Sequence, residues 1–252
     1  RTDLAPDLKA KKEGSLFRAV VTQSPILRPA FEDPALEPEE RIVSLSRFRD
    51  ILPGLSPPAK APNPPPLVVF LLGLQREGHP ASTREVLECA SLLQGDTGHR
   101  VIVLYGNLKV SGAGLEARVR EARRKGVLFF RFSNLRPRFT RDHTGSTTVE
   151  WKDEAGRMEI QVHPAWIVVD EAREAGPGNL DPAASLHAYP GPDGFLPSDN
   201  VYRLGLQTNR RGIVGILPDA DPLGRNTQED DLAAAMLEMR ALEHLDRWAP
   251  HN

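Results

Sequence analysis

The chain has 252 residues, 40% of them hydrophobic, enough to bury one sizeable core or two modest ones. Its 32 basic and 34 acidic residues leave a net charge of −2, which argues against a nucleic-acid partner, since such partners favour a strongly basic surface. No apolar run approaches the roughly 20 residues that span a bilayer, and the single cysteine, Cys89, excludes an internal disulfide or a cysteine-ligated cluster built by this chain alone. That usage fits a reducing compartment, and the expected location is the cytoplasm. Because the sequence opens on Arg1 with no signal-peptide pattern, the expectation is a fragment or a processed product.

Residues 1–66 read as an extended, proline-rich arm and linker. Lys9 to Glu13 is charge-rich, and Leu16 to Val21 reads as a short strand. Pro25, Pro29, Pro34 and Pro38 then favour extended, wrapping backbone over helix. Arg41 to Leu52 fits a short helix or a strand. Pro53 to Pro66 carries seven prolines and reads as a semi-rigid linker.

Residues 67–170 read as a Rossmann-like, nucleotide-binding-type domain. Leu67 to Leu72 is an apolar strand, and Thr83 to Leu93 a helix with Val86, Leu87, Ala90 and Leu93 on its apolar face. Ser82 and Glu85 have the spacing of a capping box. Arg100 to Tyr105 is a second strand, nearly all apolar, as expected of a parallel strand covered on both faces. Leu115, Val119 and Ala122 recur at helical spacing, Gly126 stops that helix, and Val127 to Phe132 reads as a third buried strand. Thr147 to Trp151 and Arg157 to Val162 flank Asp153–Gly156 as a hairpin, and Ala165 to Val169 is another buried strand. The implied fold class is α/β: three layers, a parallel sheet and a small antiparallel flap.

Residues 171–252 read as a loop-rich closing segment. Its regular elements are a strand at Gly212 to Leu217 and a helix from about Thr227 to Trp248 with Leu232, Met236, Met239, Leu242 and Leu245 on one side.

Chemical candidates are sparse. Gly112 and Gly114 open a helix after a strand, where phosphate often sits, but no G-x-G-x-x-G is complete and a tight turn is the preferred reading. The loop after the first strand, Gly73 to Pro80, is longer and bulkier than a pyrophosphate turn, which argues against independent nicotinamide binding. Asp219, Asp221, Gly224 and Asp230 fall near calcium-loop spacing, but Leu223 cannot ligate and Pro222 disturbs the turn. The histidines share no metal-ligand spacing, and Cys89, beside Ala90 on an apolar helix side, reads as a buried, inert thiol.

Three segments together resemble heterodisulfide reductase A subunits. Tyr105, Gly112, Gly114 and Glu116 match a Y-x-x-x-x-x-x-G-x-G-x-E pattern before a helix. Gly73, His79 and Pro80 match a G-S-R-x-x-x-H-P loop. Asp193, Gly194, Phe195, Thr208, Gly212 and Ile213 match a D-G-F segment followed by T-x-x-x-G-I-F. The resemblance covers about residues 67–245. It implies a flavoprotein of the disulfide-oxidoreductase type, with FAD and iron–sulfur clusters, working in a multi-subunit electron-transfer complex.

Departures fall where the chemistry would be. The family's cluster cysteines align with Leu71, Ser82, Val86 and Leu87, and its flavin-contact glycine aligns with Leu217. The amino-terminal FAD lobe has no counterpart, so the resemblance implies the nicotinamide-domain-like half plus the closing strand and helix of the FAD lobe. The expectation is therefore a structural or docking subunit whose partners are iron–sulfur or flavin proteins, with no cofactor bound by this chain alone. Gly112, Gly114 and Asp219 are its only candidate cofactor contacts. The alternatives are an FAD-binding electron-transfer subunit completed by another chain, and a non-redox small-molecule-binding module.

Overall fold

The structure is a computed structural model that describes residues 19–22, 25–31, 36–55, 64–74, 78–96, 98–108, 110, 114–132, 136–153, 156–176, 184–191, 194–196, 208, 210 and 212–216, with helical positions between 233 and 244. It divides into two compact units, one of residues 26–174 with 221–225, the other of 1–25, 175–220 and 226–252.

The larger unit is built on the apolar strand β4 (Leu67–Leu72), in which every residue after Leu67 is buried. It lies at the centre of a five-stranded, wholly parallel sheet. Strands β5 (Arg100–Tyr105) and β6 (Leu128–Arg131) follow on one side, and β10 (Trp166–Val169) and β3 (Ile42–Ser44) on the other. Alternation along β4 separates two cores. Val68, Phe70 and Leu72 face α1 (Leu45–Ile51), α2 (Pro80–Asp96) and α3 (Leu115–Arg124), meeting Phe48, Leu87, Leu93, Leu115, Val119 and Ala122. Val69 and Leu71 face the other way, toward Val149 and Trp151. Those two belong to an antiparallel sheet of β7 (Arg138–Arg141), β8 (Thr147–Asp153) and β9 (Met158–Val162). Helices, parallel sheet and flap are the three layers expected.

Local chemistry explains the element ends. Gly114, at φ +75°, turns the chain into α3, a conformation other residues adopt only with strain. The Asp153 carboxylate accepts from the Gly156 amide at 2.8 Å and closes the β8–β9 turn. In the β7–β8 turn, Asp142 Oδ1 accepts from the Thr144 and Ser146 amides at 2.8 and 3.0 Å, which holds its carboxyl below the usual range together with the Thr144 hydroxyl.

Several expectations are corrected. Residues 1–66 are not uniformly an extended arm: Ile42, Val43, Leu45 and Phe48 are buried in the larger unit, because β10 offers β3 a parallel partner. Strand β6 is an edge strand rather than a buried one, with Leu128 44% exposed. Helix α2 begins at Pro80, so Ser82 lies inside it and caps nothing. Instead His79 Nδ1 accepts from the Ala81 amide at 3.1 Å, and the His79 carbonyl accepts from the Thr83 amide at 3.0 Å. Strand β7 was not foreseen. Its Arg-Phe-Thr-Arg alternation is too short to read against the surrounding polar sequence. A further pair, β2 (Pro25–Pro29) with β11 (Glu171–Ala175), completes the unit, with Arg28 and Glu174 ion-paired at 2.5 Å.

In the smaller unit β1 (Ala19–Thr22) runs parallel to β12 (Ile213–Ile216). Thr208 Oγ1 donates to the Ile213 carbonyl at 3.0 Å and accepts from the Arg210 amide at 3.2 Å, closing the turn before β12. Ala235 and Met239, one helical turn apart, pack on Val214. Met236, expected on the apolar side, is 53% exposed, so the buried stripe runs through Ala235 instead.

Candidate functional site

Parallel α/β sheets bind ligands outside the carboxyl ends of their strands, where the strand order reverses. Here that point lies between β4 and β10. The strand ends place Gly73 after β4 and Asp170 after β10. Asp170 Oδ2 accepts from the Gly73 amide at 2.8 Å, and the Asp170 amide donates to the Leu71 carbonyl at 3.0 Å. Asp170 is nearly buried, and loss of water pushes its carboxyl up to about 6, with neighbouring Glu171 adding to the rise and the Gly73 amide opposing it. It is a proton-holding group in a place where water cannot stabilise its charge.

Buried polar groups surround that pair. Glu171 accepts from the Ser46 hydroxyl at 2.6 Å and the Ser46 amide at 3.1 Å, tying the end of β10 to α1. Ser82 Oγ donates to the Glu171 carbonyl at 3.4 Å. Arg173 and Arg49 both reach Glu85 Oε1 on α2, at 3.3 and 3.9 Å. Across the helices, Arg118 on α3 pairs with Glu88 on α2. Next to Gly73, Gly106 closes β5; a Cβ there would stand 3.0 Å from the Gly73 carbonyl oxygen and 3.3 Å from the Phe132 ring. The strand ends pack too closely for a side chain at that position.

A dinucleotide pyrophosphate would sit on free amides at the start of α2. The described residues do not fit it. Pro80 has no N–H, the Ala81 amide is already given to His79, the Gly73 amide is given to Asp170, and Asp170 adds a carboxylate beside the position. The start of α3 differs: Gly114 makes no side-chain cap, and the first turn carries Glu116. Gly112, Asp219 and Leu217 lie outside the described residues, so of the three candidate contacts the structure places Gly114 alone.

Cys89 is 2% exposed inside α2, and burial, then Glu85 and Glu88, push its thiol up to about 12. It is an inert core residue. Among the described residues no group of three or more His, Cys, Asp or Glu could hold a metal, and no helix is long and apolar enough to cross a membrane. Clefts lie elsewhere among the described residues. One of about 420 Å³ runs beside Trp151, whose buried Nε1 has no partner among the described residues. Another, about 450 Å³, lies beside Arg41, Arg141 and Thr147, whose buried hydroxyl also has none there.

The chain as a whole resembles a known structure in fold. The chain superposes on the crystal structure of Lactococcus lactis thioredoxin reductase in its FR conformation with a TM-score of 0.50 and 12% identity, over 90% of this chain and 66% of that one. The likeness is one of fold. The chain thus spans just under two thirds of that reductase. No protein-family profile matches it, and neither does any curated protein.

Asp170 and Glu171 are the residues that sequence reading missed. Their signal was present: two acids directly after the buried strand Trp-Ile-Val-Val, at the carboxyl end where such sheets place function.

Proposed function

We propose that the chain is a structural or docking subunit of an electron-transfer oxidoreductase complex, related to heterodisulfide reductase A and binding no redox cofactor alone. The observation that carries this reading is the filled switch point, where Pro80, His79 and Asp170 take up the positions and amides a pyrophosphate would use. The lone thiol supports it, since dithiol exchange needs two sulfurs and a reactive thiolate. The ordered family motifs and the thioredoxin-reductase-like fold supply the redox context. Its partners are iron–sulfur or flavin proteins, in the cytoplasm.

A second reading, an FAD-binding subunit completed by another chain, draws on the family motifs and on the likeness to a reductase of which the chain spans 66%. Affinity purification of the tagged chain from its own cells, with absorption spectra of the complex and of the separated chain, tests both. The docking reading expects redox subunits in the complex and a colourless separated chain. Stoichiometric flavin on the separated chain would overturn it.

A further inference from the structure

The parallel sheet ends in two edges, and β6 is the open one. The Phe132 amide donates to the Tyr105 carbonyl on β5 at 3.0 Å. The two-residue period of a strand then turns the backbone groups of Phe130 and Leu128 toward β5, and those of Phe129 and Arg131 away from the sheet. Among the described residues β6 pairs with β5 alone, so those outward groups face no described strand. Leu128 and Arg131 are exposed, while Phe129 and Phe130 are half-buried in opposite cores. Such an edge is a ready template for another strand.

Charge narrows what could add to it. On α3, Arg118 turns toward α2 and pairs with Glu88, whereas the Arg123 guanidinium lies 5.3 Å above the Phe129 ring and so overlooks β6. Arg120, three residues before Arg123, is on the same side, and Arg124 is also exposed. Glu121 is already paired with Lys125, which leaves Glu116 as the acid of that helix against the arginine row. A second copy is a poor occupant. Antiparallel pairing of two β6 strands about a two-fold axis would bring both arginine rows together on one face.

We propose that the β6 edge accepts an acidic, extended segment of a partner protein as a sixth strand, its acids facing Arg120, Arg123 and Arg131. This deepens the docking reading above and rests on it only for the partner being a redox subunit. The test uses the full chain and a fluorescent peptide of about ten alternating Glu and Val residues, a length typical of strands. Two controls accompany it: the same peptide with Lys for Glu, and one with Pro at alternate Val positions, which keeps the charge and removes the N–H groups that a strand parallel to β6, the direction of the whole sheet, would turn toward it.

Anisotropy should show binding of the acidic peptide, at least tenfold weaker binding of the proline control, and reversed charge preference in the Arg120→Glu/Arg123→Glu variant. Both positions are exposed, and circular dichroism checks that the variant is folded. Equal binding of the proline control, or no binding of the acidic peptide, would overturn the proposal, as would dimerisation of the chain abolished by Leu128→Asp. Redox subunits that still co-purify with the double variant would overturn β6 as the docking surface and leave the docking function standing.

Discussion

The two edges of one sheet have been treated in opposite ways. At β3 all three residues are buried, α1 follows directly, and Phe48 stands edge-on to Phe70 and Trp166 at centroid distances of 5.6 and 5.8 Å. At β6 the strand is half-exposed and rimmed by arginine. The closed edge lies beside the filled switch point, through Ser46 and Glu171. The side of the sheet with the most buried polar chemistry is thus sealed by the chain itself. The side with the least is left available.

The largest effect that could break this contrast is expected at Phe48. Phe48→Ala removes a wholly buried ring and leaves a cavity, at a cost of about 3–5 kcal/mol. Denaturant melts showing a loss below about 1 kcal/mol would mean that α1 is not integral to the fold.

Next comes Asp170. Its carboxyl holds a proton more tightly when folded than in the unfolded chain, where an aspartate titrates near about 3.9. Folding therefore takes up a proton between roughly pH 4 and 6, and this group's contribution to stability falls as pH rises through that window. The full span is on the order of 3 kcal/mol. Asp170→Asn keeps an oxygen for the Gly73 amide, so it should raise the melting temperature at pH 7 and flatten the slope between pH 4 and 6. A variant melting profile parallel to the wild type across that range would show the carboxyl to be better solvated than its burial implies.

Smaller effects are expected on the open side. Arg123→Ala should cost about 0.5–1 kcal/mol through its contact with Phe129. Leu128→Ser should change stability by less than about 0.5 kcal/mol, since the side chain is already 44% exposed. A loss above 2 kcal/mol at Leu128, read in the same melts, would mean the edge is closed in solution.

Much of the larger unit was legible because its signals are local. Strands β4, β5 and β10 are unbroken apolar runs, α3 has a clean three-residue stripe in Leu115, Val119 and Ala122, and the β8–β9 turn is announced by Asp153 and Gly156. The failures were non-local. Nothing near Ile42-Val43-Ser44 says that its partner is Ile167-Val168-Val169, and the prolines around it suggested an arm instead. Glu-Ala-Arg-Glu-Ala has the composition of a helix, yet it becomes β11 because β2 lies beside it. The capping box failed because His79 captured the helix start three residues earlier than the serine-to-glutamate spacing suggested. The site was legible as a place but not as residues. Glycines near Gly114 drew the reading toward α3, while the groups that fill the switch point, Asp170 and His79, need the fold before they meet α2 and Gly73.

Pairing Ile42 with Ile167, and Ala19 with Ile213, has a consequence in time. On a ribosome the first strands to emerge are the ones whose partners are made last. Strand β4 can pair with β5 as soon as both exist, but β3 has no described strand beside it until β10 has been synthesised and seated on β4, and β1 waits for β12. The closures are nested, the outermost last, and each encloses a longer loop than the one within it. Apolar residues such as Ile42 and Val43 therefore wait through much of synthesis for the strand that pairs with them, which makes this segment the natural place for a chaperone to hold the nascent chain.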